Sequence, residues 1–118
     1  MSSFEDLNVW RKAKTLAIAV SREVASSKNF ALRDQMIRSA ISVPSNIAEG
    51  AERSGKKEFA NFLSYALGSN AELITQIMIA KELKEIDSLI ADSFIADGRE
   101  IGRMLHGLHT SLAKQPSN

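Results

Sequence analysis

The chain has 118 residues, 44% hydrophobic and 25% charged, and its 15 Lys and Arg against 14 Asp and Glu leave a net charge of +1. That length suits one domain, residues 1–118, able to bury roughly two-thirds of the surface its unfolded form exposes. The near-neutral balance lacks the basic surplus of a typical nucleic-acid binder, and two prolines with six glycines exclude a collagen-like or low-complexity chain. With no cysteine there can be no disulfide and no thiolate metal site.

The first ten residues, MSSFEDLNVW, are polar and acidic where a signal peptide requires a basic start and an apolar core. No apolar run approaches the ~20 residues of a membrane span. The expectation is a cytoplasmic protein with no membrane role.

Trp10, Ala13, Ala17, Val20 and Val24 recur at spacings of three and four, with Leu16 widening the stripe, and predict an amphipathic helix over 8–25. Phe4 and Leu7 precede it and can fold back over its first turn, as a hydrophobic staple does. The SSKNF stretch breaks the pattern. A second helix is predicted over 32–51, ending near Gly50, with Ile37, Ile41, Ala48 and Ala51 as an apolar stripe. Pro44 lies inside it, lacking an N–H and crowding the carbonyl four residues back, a defect of about 3 kcal/mol or more in an ordinary helix interior.

Ser54 is the expected N-cap of a third helix over 55–85, with Glu58 placing negative charge in its first turn. Phe59, Phe62, Leu63, Ala66, Leu67, Leu73, Ile74, Ile77, Ala80 and Leu83 supply its apolar positions. Gly68 and Ser69 interrupt it, small enough to admit a neighbouring backbone near Pro44. Asp87 then caps a fourth helix over 88–113, with Leu89, Ile90, Phe94, Ile95, Ile101, Met104, Leu105, Leu108 and Leu112 on its apolar side. Four helices with short connections and no strand-like alternation predict an all-α fold, an antiparallel up-down-up-down four-helix bundle.

Two helices carry polar rows where a simple bundle would place leucine. On the second, Gln35, Arg38, Ser42, Asn46 and Glu49 share one stripe, and on the third Ser69, Glu72 and Gln76 recur at three and four. These rows are expected to face each other across the bundle or across a subunit interface, with Arg38 pairing Glu72; the alternative is two solvated faces. Pro44 would bend the second helix, and Gln35, Arg38, Asn46 and Glu72 would fix its register.

Arg11, Lys12 and Lys14 fall together, as do Arg53, Lys56 and Lys57, and are the candidate contacts for a polyanion. Chemistry is harder to find. His106 and His109, the two histidines, sit three apart without the Glu-x-x-His tetrad of di-iron bundles, and the residues after His106, GLHTSLAK, fit a phosphotransfer histidine poorly. Gly50 to Lys57 lacks both a preceding strand and phosphate-loop spacing, so it reads as an interhelical turn. The expectation is a non-enzyme with no cofactor and no metal.

The run FEDLNVWRKA, then Gln35, Arg38 and SVPSNIAEG from Ser42 to Gly50, then Arg53, Ser54, Lys57, Glu58 and Phe59, form a specific combination. It continues through Phe62, Leu63, Ala66, Gly68, Ser69, Glu72, Leu73 and Gln76. In these residues the chain, from Phe4 to Leu112, resembles the four-helix-bundle family of proteins encoded in intervening sequences of bacterial 23S ribosomal RNA genes. Asn70 and Ala71 depart modestly from the family pattern. The resemblance implies a left-turning bundle that assembles as a homopentamer. It also implies kinship with the accessory variability determinant of diversity-generating retroelements, which looks like a basic pentamer binding reverse transcriptase and template RNA. The function expected is a non-enzymatic oligomeric adaptor for an RNA or protein partner; the alternatives are a purely structural oligomer and a phosphotransfer module using His106 or His109.

Overall fold

The computed structural model describes residues 3–115. A 3-10 turn at Phe4–Asp6 leads into α1 (Asn8–Val24), α2 (Phe30–Glu52), α3 (Lys56–Glu82) and α4 (Ser88–Ala113). Each helix touches the next and α1 touches α4, whereas the diagonal pairs do not pack, so the four form a closed square. Short turns between sequential neighbours make the arrangement up-down-up-down, a rod of 49 × 21 × 19 Å.

Helix ends follow local chemistry. Ser3 caps the opening turn reciprocally with Asp6, and Phe4 folds back to meet Trp10 edge-on, ring centroids 5.1 Å apart. Asn29 accepts from the Leu32 N–H, so α2 begins at Phe30, two residues before the sequence pattern suggests. At the start of α3 the cap is Gly55 and not Ser54: its φ of 102° turns the chain sharply, a conformation favoured in glycine. α3 stops at Glu82, three residues short of expectation, because Lys84 adopts a left-handed φ of 61°. The Glu85 N–H then bonds the Ala80 carbonyl at 2.9 Å and the Lys84 N–H that of Lys81 at 3.0 Å, a Schellman closure. Asp87 accepts from the Leu89 N–H and starts α4 where predicted.

The core runs the length of the rod, with Val20, Met36, Val43, Ile47, Leu63, Leu73, Ile77, Ile101 and Leu105 as its largest fully buried side chains. On α2 the buried face is Met36, Ser39, Ala40, Val43, Pro44, Ile47 and Gly50, not the stripe of Ile37, Ile41, Ala48 and Ala51. Ile41 is half exposed and the other three flank the core. Residues 37, 41, 48 and 51 do share a side of the helix; a mixed stripe containing serine, proline and glycine buries more closely. Leu83 and Leu89, expected inside, lie at the α3–α4 turn, 55% and 80% exposed. Pro44 is buried within a helix that continues uninterrupted to Glu52.

Gly50 is not the end of α2 but a contact point. A Cβ there would lie 2.6 Å from Phe62 Cβ and 3.0 Å from Phe59 Cδ1, so its missing side chain lets α2 and α3 meet. Gly68, expected to provide such an approach, has open space beside it.

Candidate functional site

The polar rows of α2 and α3 meet. Ser42 Oγ and Ser69 Oγ are 2.8 Å apart across the seam, and Asn46 Nδ2 donates to Ser42 Oγ at 3.0 Å and to the Ser42 carbonyl at 2.9 Å. Asn46 thereby ties together the turn that contains Pro44. Beside this bridge lies a hollow of about 290 Å³ lined by Gln35, Arg38, Ser39, Ser42, Ser69, Glu72 and Gln76.

The hollow departs from the expected device in two respects. Arg38 and Glu72 do not pair: both are exposed, and neither makes an ion pair within the described chain. Water can compensate each charge at such a position, so folding does not demand the bridge. Glu49, placed by periodicity on the same row, turns instead to Arg53 at 3.0 Å, one helical turn away. Ser39, buried in the floor, was missed because its neighbours Ile37 and Ile41 suggested a different inner face. Gln76 Oε1 is buried without a protein partner, a situation that costs about 1–3 kcal/mol when nothing donates to the oxygen.

Along the side of α3 that borders the α2–α3 hollow and on to its C-cap, Tyr65, Ser69, Glu72, Gln76, Ile79 and Leu83 follow at spacings of four, three, four, three and four. That is the period of a helix-pairing seam. Its middle is polar, while Tyr65, Ile79 and Leu83 are 59%, 45% and 55% exposed.

The candidate polyanion contacts do not form one patch. Arg11 reaches Asp6 at 3.7 Å and the Glu5 carbonyl at 2.8 Å, Lys12 pairs with Glu100 of α4 at 3.1 Å, and Lys14 sits over the Trp10 ring. Arg11 and Lys14, three apart, share a side of α1, whereas Lys12, about 100° round from Arg11, turns to α4. Arg53 lies between Glu49 and Glu58 and over the Phe62 ring. Lys56 and Lys57 line a shallow hollow with Leu112 and Ala113.

His106 and His109 also diverge. His109 Nε2 is 3.4 Å from Ser64 Oγ, while His106 is exposed at the rim of a second hollow, between α3 and α4. Among the described residues no three His, Asp or Glu side chains are grouped as metal ligands.

The second hollow, about 350 Å³, was missed in the sequence. Asn70 is only 3% exposed although it stands between Ser69 and Ala71 on α3, and its Nδ2 donates to the Gly98 carbonyl of α4 at 2.8 Å. A Cβ on Gly98 would lie 2.8 Å from Ile74 Cγ1, and one on Gly102 would lie 3.3 Å from Asn70 Nδ2, so both glycines are part of the contact. Asn70 Oδ1 is buried and has no hydrogen-bond partner among the described residues. The available signal was the row Arg99, Arg103, His106 at spacings of four and three, one residue out of phase with the two glycines.

A shifted lysine lies at this seam's other end. Lys81 Nζ is 2.7 Å from Asp92 Oδ1, and that hydrogen bond, reinforced by the carboxylate's charge, raises the lysine above its ordinary pKa.

A family model described as "23S rRNA-intervening sequence protein" matches residues 5–107. Among solved structures, a protein of unknown function from the S23 ribosomal protein family of Bacteroides thetaiotaomicron VPI-5482 superposes with a TM-score of 0.79 at 24% identity, covering 91% of this chain and 99% of that one. No curated protein matches the sequence significantly. Among the described residues, no helix is long and apolar enough to cross a membrane. The bundle, its bridged α2–α3 seam and the match across residues 5–107 lead to one assignment: the chain belongs to the 23S rRNA-intervening sequence protein family.

Proposed function

We propose that the protein is a non-enzymatic, cytoplasmic adaptor that self-associates through the outer face of α2 and α3 and presents the assembly to an RNA or protein partner. The observation that carries this reading is the row on α3: a coiled-coil spacing with exposed Tyr65, Ile79 and Leu83 around a polar centre. Apolar groups at seam positions favour contact with another helical surface. Arg38 and Glu72 support it, because two exposed and unpaired opposite charges can satisfy each other between copies. The homopentamer implied by the family resemblance fits this use of the face.

Light scattering tests the assembly. A mass near five times 12.9 kDa is expected for the native chain, and Ile79→Glu with Leu83→Glu should shift it to the monomer. A native mass of 12.9 kDa at micromolar concentration would refute self-association. For the RNA version, mobility shifts with structured ribosomal RNA should weaken with salt, since phosphate contacts release counterions. Salt-insensitive or absent binding would assign the adaptor role to a protein partner.

A further inference from the structure

We infer that the hollow between α2 and α3 is a binding site for a free α-amino acid with a short polar side chain. Its charges come from opposite walls: Arg38 stands on α2 and Glu72 on α3, both exposed, neither paired with the other nor with any other group among the described residues. A lone anion or a lone cation would satisfy one of the two and be repelled by the other. A molecule that carries a carboxylate and an ammonium on the same carbon satisfies both, the carboxylate taking parallel N–H bonds from the guanidinium and the ammonium donating to Glu72. The serine bridge beside the hollow, Ser42 to Ser69 at 2.8 Å, holds the two walls together before any ligand arrives. The inference goes beyond self-association at this face and does not rest on it: the charges that would meet between copies are those the ligand takes, and a dissociated chain leaves them available.

Below the charges the floor is polar and unspent. Ser39 is only 7% exposed, and that remainder opens on the hollow; its hydroxyl makes no hydrogen bond among the described residues and is not sealed from solvent as Gln76 Oε1 is. Gln76 Nε2 is open and unpartnered too, and with neither amide atom held by the protein the group can turn over to offer a donor or an acceptor. A side-chain amide or hydroxyl on the ligand, which both donates and accepts, matches either setting. No apolar side chain lines the hollow. A nucleobase would find no face to stack on, and an apolar side chain would leave the floor groups without partners. The volume of about 290 Å³ admits a molecule the size of asparagine.

The test is a titration of the full chain, labelled with nitrogen-15, by L-asparagine, run on the native chain and on Ile79→Glu with Leu83→Glu, neither of which lines the hollow. Saturable shifts are expected at the Gln76 side-chain amide and the Ser39 and Ser42 backbone amides. Three relatives of the probe should each bind about tenfold more weakly or worse: succinamic acid, which lacks only the ammonium, 3-aminopropanamide, which lacks only the carboxylate, and L-leucine, which keeps the shape with an apolar side chain. Arg38→Gln and Glu72→Gln, both surface changes, should each reduce affinity about tenfold or more while leaving the rest of the spectrum unchanged. Ser39→Ala should also weaken binding by removing the floor hydroxyl. Absence of saturable shifts in both chains at millimolar ligand would overturn the inference, as would binding unaffected by the Arg38 and Glu72 changes or equal affinity for L-leucine. Saturation in the dissociated variant alone supports the site and places it beneath a neighbouring copy; saturation in a native chain of 12.9 kDa supports it while self-association fails.

Discussion

The α2–α3 and α3–α4 seams join the same helix to two neighbours by different means. At α2–α3, small side chains meet each other: Ser42 and Ser69 share a hydrogen bond, Asn46 closes on Ser42, and Gly50 receives Phe59 and Phe62. At α3–α4 a side chain meets backbone: Asn70 crosses to the Gly98 carbonyl, with glycines at 98 and 102 admitting it. Around that bridge the first seam leaves the buried Gln76 Oε1, Arg38 and Glu72 without partners among the described residues. The second leaves a buried oxygen and two arginines without protein partners. The seams differ in what holds them: side chain to side chain at the first, where Gly50 also takes Phe59 and Phe62, and one buried amide on a backbone carbonyl at the second.

The largest effect expected from probing this contrast is at Gly50. Gly50→Ala should destabilise the fold by about 1–3 kcal/mol through overpacking, exceeding alanine's helix advantage of about 1 kcal/mol, because Phe62 Cβ is attached directly to backbone and cannot swing away. Gly98→Ala meets only the Ile74 side chain at its closest point and should come within about 1 kcal/mol of neutral as that side chain rotates. Thermal melts of the two variants decide the matter: equal losses would erase the distinction between the seams.

A smaller effect is expected at the serine bridge. Ser42→Ala and Ser69→Ala should each cost about 0.5–1.5 kcal/mol by taking the partner from the opposite hydroxyl, while Asn46 keeps the Ser42 carbonyl, and the double variant should cost less than their sum. Strict additivity in urea denaturation would mean that the 2.8 Å contact contributes no coupling.

The smallest effect is the pH dependence of the Lys81–Asp92 pair that ties α3 to α4. Folding raises the lysine pKa, so the folded chain holds this proton more tightly than the unfolded one. The stabilisation is complete below the ordinary lysine pKa of about 10.4 and is lost as pH rises through the raised folded value. Comparing urea midpoints of the native chain and Asp92→Asn from pH 8 to 12 should show the two converging at the alkaline end; a constant difference would remove the pair's role.

How much of this was legible in the sequence depends on the kind of signal. Helix existence was, because apolar residues repeated at three and four over long stretches, and the facing of Ser42 with Ser69 followed from two polar rows on helices forced to be neighbours by a short turn. The inner face of α2 was not, because Ser39, Pro44 and Gly50 are buried and Ile41 is half exposed, an inversion that hydrophobicity alone reads backwards. The α3–α4 hollow was not legible either, since an asparagine and two glycines acquire meaning only once they meet.

The residues by themselves determined four helices, an antiparallel bundle and membership of a family, because periodicity, caps and motif spacing are local properties of the chain. Tertiary structure decided which small residues let helices approach, which charges found partners and which did not. Those outcomes depend on distances of a few ångströms between segments far apart in sequence, where a missing Cβ at Gly50 or Gly98, or a carboxylate within reach of Lys12 but not of Arg103, settles what the pattern leaves open.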